Sequence, residues 1–192
     1  PLPLGVAQQA RDRGIRVVGG YGMSETCPIV AVSHVQSHVL VGDGSADLDR
    51  ITRTGFPLPM VRAEIWSPEG RPLPPGSGNV GELVLQAPWL TRGYYKEPEL
   101  SRQLWRGGWL HTGDIAYRDD DGYVRITDRL KDVIISGGEN ISSVEVEGVL
   151  LRHPAVAEAA VVGMADERWG ETPHAFIVPR AGATVDPDEL RA

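Results

Sequence analysis

The sequence predicts an α+β fold, and three observations carry that expectation. Short β-prone runs separated by Gly, Pro and Asp turns fill the middle of the chain, among them Val61, Ala63 and Ile65 alternating with Arg62, Glu64 and Trp66. Helical signals are brief, at residues 7–13, from Pro98 to Leu104 and from Val144 onward. Near residues 129–132 the pattern changes, across a charged linker, from hairpins to a capped helix with strands. Two domains are expected, residues 1–130 and 131–192. The first is a helix-and-strand remnant of an α/β domain plus a small antiparallel β-subdomain. The second is a small α+β domain.

Pro3 suits the first turn of the opening helix, and Gly14 suits its end. Ile15, Val17 and Val18 make residues 15–18 a short expected strand. One helix and one strand cannot bury both faces of a sheet, so the opening reads as the last piece of a larger layered domain. Gly19-Gly20-Tyr21-Gly22-Met23-Ser24-Glu25-Thr26 follows. Its Gly-x-Ser suggests a hydrolase elbow, but Thr26 stands where that turn needs Gly, and Cys27-Pro28 opposes the helix it requires. Cys27 reads as a small buried residue. As the single cysteine it allows no internal disulfide, which fits a reducing, cytoplasmic setting. His34 and His38 have metal-ligand spacing only on a helix, their surroundings alternate as a strand does, and no third ligand is near, so no metal is expected there. Residues 42–49 form a polar loop and 72–79 a Pro/Gly loop, with Leu83 and Leu85 marking a strand. Glu97-Pro98-Glu99 opens a helix carrying Leu100 and Leu104, and Gly107-Gly108 should close it. Trp66, Trp89, Trp105 and Trp109 read as packing residues.

Residues 111–147 organise the chain. Asp119-Asp120-Asp121-Gly122 between β-prone runs is a hairpin signal. A hairpin returns Asp114 and Arg129 to one end, within roughly 10 Å at about 3.3 Å per residue. A carboxylate accepts bonds from vicinal hydroxyls and a guanidinium donates to oxyanions, so the two could hold a sugar-phosphate. A surface ion pair is the plainer reading of that spacing. A strand at 133–135, a glycine turn at 136–140 and the capping box Ser142-Ser143-Val144-Glu145 come next. The helix should run to His153-Pro154, with strands at 157–162 and, after Glu171-Thr172-Pro173, at 175–178. Asp186-Pro187-Asp188-Glu189 marks a last helix start, and the chain is expected to begin and end inside domains.

The net charge of −7, with no basic run, excludes nucleic acid as a partner. No apolar run has transmembrane length, and no signal peptide is expected.

The segments GYGMSET, WLHTGD and ITDRLKDVIISGGENISSVEVE, in that order, closely resemble motifs of the AMP-forming acyl-CoA synthetases of the adenylate-forming superfamily. The likeness runs almost from end to end. It implies that the opening belongs to an α/β nucleotide-binding domain and that a small-molecule carboxylate, ATP, Mg²⁺ and CoA are the partners. By resemblance, Gly20, Tyr21 and Gly22 lie along adenine, Ser24 meets phosphate and Glu25 serves Mg²⁺. Asp114 would hold the ribose hydroxyls, Arg129 would reach the nucleotide, and Lys131 would sit at the hinge of a mobile C-terminal domain. Gly137, Gly138 and Glu139 would line the path of CoA, with Trp169 near its nucleotide. Gly81-Glu82-Leu83 and Gly93-Tyr94-Tyr95 resemble a further, chiefly structural motif. The family's phosphate loop and late catalytic lysine are absent, for Lys96 and Lys131 are the only lysines and neither has that context. The chain alone is therefore expected to be inactive. The resemblance points to a medium- or long-chain fatty-acid ligase, with an aryl or other carboxylate as the alternative. A non-catalytic scaffold with a relic nucleotide site is the reading from another class.

Overall fold

In the computed structural model the described residues are 4–33, 48, 50–76 and 79–190. Pro3, His34, His38 and most of the polar loop at 42–49 lie outside them. Two compact units divide the chain, residues 1–126 and 127–192.

The first unit opens with α1 (Leu4–Asp12), after which Gly14 takes φ 73° and turns the chain away. The expected strand at residues 15–18 does not form. Ile15 and Val18 are about half exposed, and a β-branched run becomes a strand only against a partner and a packed face. The strand lies further on. β1 (Gly20–Gly22) pairs antiparallel with β2 (Ile29–Val32), and β2 with β3 (Phe56–Pro57).

A second sheet has the order β4 (Arg62–Trp66), β5 (Gly81–Gln86), β7 (Trp109–Arg118), β6 (Trp105–Arg106). β8 (Val124–Arg129) pairs with β7. The alternation at 61–66 delivers Ile65 to the core, opposite Leu83. Leu83, Val84 and Leu85 are consecutive and all buried, so β5 is covered on both faces. Leu110, Ala116 and Val124 join them in one apolar cluster.

Asp119–Gly122 makes the expected turn. Asp119 N–H donates to Tyr123 O (3.0 Å), Tyr123 N–H to Asp119 Oδ1 (2.8 Å), and Gly122 takes φ 87°. Arg53 pairs with Asp119 and lies over the Tyr123 ring, which is fully buried against Phe56. α2 (Pro98–Leu104) stops at Leu104 because Trp105 enters β6. Gly107 and Gly108 do not close the helix. At φ 59° and 80° they form the two-residue turn between β6 and β7, which pair through Arg106 and Trp109. The tryptophans pack as expected: Trp66 lies 5.7 Å from Trp109, and Trp105 Nε1–H donates to Thr91 O.

The second unit is a four-stranded sheet in the order β10 (Glu139–Ile141), β9 (Ile134–Ser136), β12 (Gly170–Pro179), β11 (Val156–Asp166). α3 (Ser143–Leu150) packs on it through Leu150, beside Ile134 and Val161. Ser142 caps α3, its Oγ accepting from Glu145 N–H (3.2 Å). Glu171-Thr172-Pro173 lies inside β12, not before it. The helix expected after Asp186 is a turn at residues 187–190, where Asp186 Oδ1 accepts from Asp188 N–H (2.9 Å). A single turn fixes more dihedrals than it gains hydrogen bonds. The architecture is α+β, with three α-helices described and antiparallel pairing wherever the register is set out. Among the described residues no helix is long and apolar enough to cross a membrane.

Gly55 carries φ 96° and bridges to Val124, and a Cβ there would sit 2.2 Å from Val32 O. Gly55→Ala combines a left-handed backbone with overpacking and should cost about 2–4 kcal/mol in urea unfolding. A loss under about 0.5 kcal/mol would contradict that contact.

Candidate nucleotide site

His111-Thr112-Gly113-Asp114 is a bulge in β7. Glu82 pairs with Ile115 and Val84 with His111, so Leu83 alone stands opposite Thr112, Gly113 and Asp114. Gly113 takes φ 70°, which its lack of a Cβ permits. Thr112 Oγ1 donates to Leu83 O (2.7 Å) and accepts from Asp114 N–H (3.1 Å). Glu82 Oε1 accepts from Gly113 N–H (3.1 Å). The bulge turns Asp114 inward, where it is 5% exposed and Oδ2 accepts from the Tyr21 hydroxyl at 2.6 Å. Two segments singled out in the sequence, 93 residues apart, thus meet through one charge-assisted hydrogen bond.

The two glycines beside Tyr21 differ. A Cβ on Gly22 would lie 1.6 Å from Pro28 O, so Gly22 is required by the chain's own return through β2. A Cβ on Gly20 would find only Ala31 O, at 3.9 Å. Thr26 Oγ1 accepts from Met23 N–H and has both Pro28 O (2.6 Å) and Met23 O (2.9 Å) within reach of its single proton, closing the short 3-10 turn Ser24–Thr26. Ser24 is exposed at its start. Cys27 is exposed, contrary to expectation, because it follows that turn at φ 55° with its side chain away from the core.

Glu25 is half-buried. Its carbonyl accepts from Thr91 N–H (2.9 Å) and its Oε1 from the Tyr94 hydroxyl (2.6 Å). That bond, then burial, then the charge of Glu25 push the Tyr94 phenol up to about 12. Among the described residues Oε2 of Glu25 has no hydrogen-bond partner. One carboxylate oxygen so placed fits a magnesium ion, which keeps several waters and takes substrate phosphates for its other ligands. No cluster of three metal-binding side chains occurs among the described residues.

Arg129, Lys131, Gly137, Gly138, Glu139 and Trp169 belong to the second unit. Arg129 and Lys131 are exposed, Lys131 facing Asp132 at 3.8 Å. Gly137 and Gly138, at φ 60° and 88°, turn β9 into β10. Gly137 packs under Trp169 and donates its N–H to Trp169 O (2.8 Å), while a Cβ on Gly138 would meet nothing within 4 Å. The Arg168 guanidinium covers the Trp169 ring, which is 46% exposed. Glu139 is exposed in β10.

Three further residues lie outside those the motifs mark. Glu82 and Tyr94 stood in segments read as structural, yet each holds a part of the site. Asp128 is 3% exposed, and its carboxylate accepts from Ser143 N–H (2.8 Å) and Arg129 N–H (2.7 Å), satisfying the opening of α3. The available signal was alternation: Asp128 falls on the same face as Val124 and Ile126 in the run Val124–Arg129.

The raised Tyr94 value has a consequence for stability. The neutral phenol is favoured in the fold, so its contribution is full below pH 10 and is lost as pH rises toward about 12. Tyr94→Phe should lose about 0.5–1.5 kcal/mol at pH 8. The gap to wild type should close with rising pH. A gap constant to pH 11.5, in urea unfolding at each pH, would remove the Tyr94–Glu25 bond from the account.

The chain resembles known proteins along its whole length. The AMP-binding enzyme family matches residues 1–95, and the AMP-binding enzyme C-terminal domain matches residues 145–192. A feruloyl-CoA synthase from an Amycolatopsis species is 42% identical over 192 residues, 100% of this chain and 37% of its own length. A long-chain-fatty-acid–CoA ligase from Thermus thermophilus is 46% identical over 189 residues, 98% of this chain and 35% of its own. The O-succinylbenzoate coenzyme A synthetase of Bacillus subtilis, solved in complex with ATP and magnesium ion, superposes with TM-score 0.82 at 35% identity, over 100% of this chain and 37% of that one. The chain thus spans little more than a third of the relatives it matches. Two family domains in their expected order, and identity sustained along the whole sequence, place this chain among the AMP-binding enzymes of the adenylate-forming superfamily, to which these acyl-CoA ligases belong.

Proposed function

We propose that this chain is the middle-to-C-terminal part of a longer ATP-dependent acyl-CoA synthetase, residues 1–130 from its large domain and 131–192 from its mobile one. Such an enzyme joins a carboxylate to AMP with release of pyrophosphate, then passes the acyl group to the thiol of CoA. The observation that carries the reading is the Tyr21–Asp114 bond, which sets an aromatic ring beside a nearly buried carboxylate. A flat base can lie on the ring and on the open side of Gly20, while ribose hydroxyls donate to Asp114. Ser24 meets phosphate. Glu25, held by Tyr94, offers one oxygen to Mg²⁺, which when bound supplies charge neutralisation at the phosphates.

At the end of the large domain Arg129 reaches the nucleotide, and Lys131 lies at the hinge between half-reactions. Gly137, Gly138 and Glu139 flank the entry of CoA. The open face of Gly138 supports that role, since a narrow thiol arm can pass a residue without a side chain. Trp169, exposed beside Arg168, can stack on the CoA base.

A medium- or long-chain fatty acid is the substrate we favour, supported by the Thermus relative. The feruloyl relative supports an aryl acid. A panel of fatty and aromatic acids, assayed in the longer protein for pyrophosphate release and acyl-CoA formation, decides between them. No turnover with any acid would overturn the proposed function. A cytoplasmic setting suits these substrates.

Asp114→Ala in the longer protein removes bonds to a charged acceptor worth about 1.5–3 kcal/mol, so kcat/KM for ATP should fall about 10- to 150-fold. Dependence on the carboxylate should change far less. Unaltered ATP dependence would take Asp114 out of the site. The 192-residue chain by itself should release no pyrophosphate, because the preorganised charge that adenylation needs lies in the phosphate loop and lysine it lacks. Turnover by a preparation of verified mass would refute that.

A further inference from the structure

We infer that Glu82 is a positioning residue for nucleotide binding, acting through the Gly113 amide to fix Asp114; the inference rests on the proposed function.

A bulge leaves backbone groups outside the strand ladder, and a buried amide without a partner is costly. At this bulge the half-buried Gly113 N–H is one such group, and its partner is a side chain, Glu82 Oε1, at 3.1 Å. Glu82 sits on the neighbouring strand, where its own register partner is Ile115. Its other oxygen is held from two sides. Oε2 lies 2.7 Å from His111 Nδ1 and 3.4 Å from Arg106 Nη2, and Arg106 Nη2 is 2.9 Å from His111 Nδ1. His111 is itself held edge-on against Trp66, 5.7 Å between ring centroids. The glutamate and histidine side chains are only 14% and 9% exposed. The carboxylate is therefore immobilised at one oxygen and spends the other on the apex of the bulge.

Asp114 is the next residue. Its N–H goes to Thr112 Oγ1 and its Oδ2 takes the Tyr21 hydroxyl at 2.6 Å, so small displacements of the apex move the carboxylate relative to the ring. A side chain that merely stabilised the sheet would affect every substrate alike. A side chain that sets Asp114 affects the nucleotide selectively.

The test compares Glu82→Ala, which leaves Gly113 N–H without its acceptor, with Glu82→Gln, which keeps an oxygen there. Hydrogen exchange at Gly113 and the apparent KM for ATP and for the carboxylate are measured in the longer protein. In Glu82→Ala, exchange at Gly113 should quicken about tenfold or more and KM for ATP should rise about tenfold, with KM for the carboxylate within about twofold. Glu82→Gln should bring KM for ATP back to within about threefold of wild type. If Glu82→Ala does not fold, Glu82→Asp, a methylene too short to span from β5 to Gly113, takes its place with the same expectations. An unchanged KM for ATP, or equal losses for ATP and carboxylate, would overturn the inference. So would unchanged exchange at Gly113. The exchange measurement needs no turnover, so a wild-type protein without ligase activity defeats the proposed function while Gly113 still reports on Glu82.

Discussion

A carboxylate taken out of water must be surrounded by donors or it will not stay charged. Asp114 is nearly buried, and much of the first unit follows from meeting that requirement. The tyrosine of the glycine loop supplies one donor. Placing that tyrosine demands the short β1–β2 pairing, and the pairing demands a glycine where the returning chain presses on Gly22. Turning Asp114 toward it demands that β7 depart from ladder geometry, which in turn creates an amide that Glu82 must satisfy. A polar contact of this kind is held by a dry wall, here the doubly covered β5 with Leu83, Val84 and Leu85.

The same physics recurs a few residues away with opposite exposure. Glu25 and Tyr94 also form a phenol–carboxylate pair at 2.6 Å, but Tyr94 is 39% exposed and the glutamate keeps one oxygen open. The inner pair suits recognition of neutral hydroxyls by a fixed acceptor. The outer pair suits a hard cation that brings its own water. In the second unit Asp128 meets the burial requirement in a third way, by spending its oxygens on backbone amides at the opening of α3.

Much of this was readable from residues alone. The hairpin at Asp119–Gly122, the strands around Ile65 and Leu83, the Gly137–Gly138 turn and the Ser142 cap were legible because each depends on local chemistry. Resemblance to a family marked Tyr21 and Asp114, but no pattern of spacing could bring together residues 93 positions apart. What failed was non-local. Residues 15–18 have strand composition but no strand beside them, and Cys27 has the character of a core residue at a place where the backbone turns outward. Gly107 and Gly108 looked like a helix stop because the two-residue strand before them is too short to show a period. Glu82 escaped for a related reason: its partners come from β6 and the β7 bulge, and the register shift that unites them has no signature in composition.

The unequal glycines beside Tyr21 limit how this loop can diverge. Gly22 is locked by contact with its own main chain, so replacement there is a lesion of the fold before it is a change of ligand. A methyl group at Gly20 would meet only Ala31 O, at the ordinary contact distance of 3.9 Å, and is tolerated sterically. Variation in this loop is thus channelled to one side of Tyr21. A library randomised at both positions would return folded members that keep Gly22 and vary at Gly20.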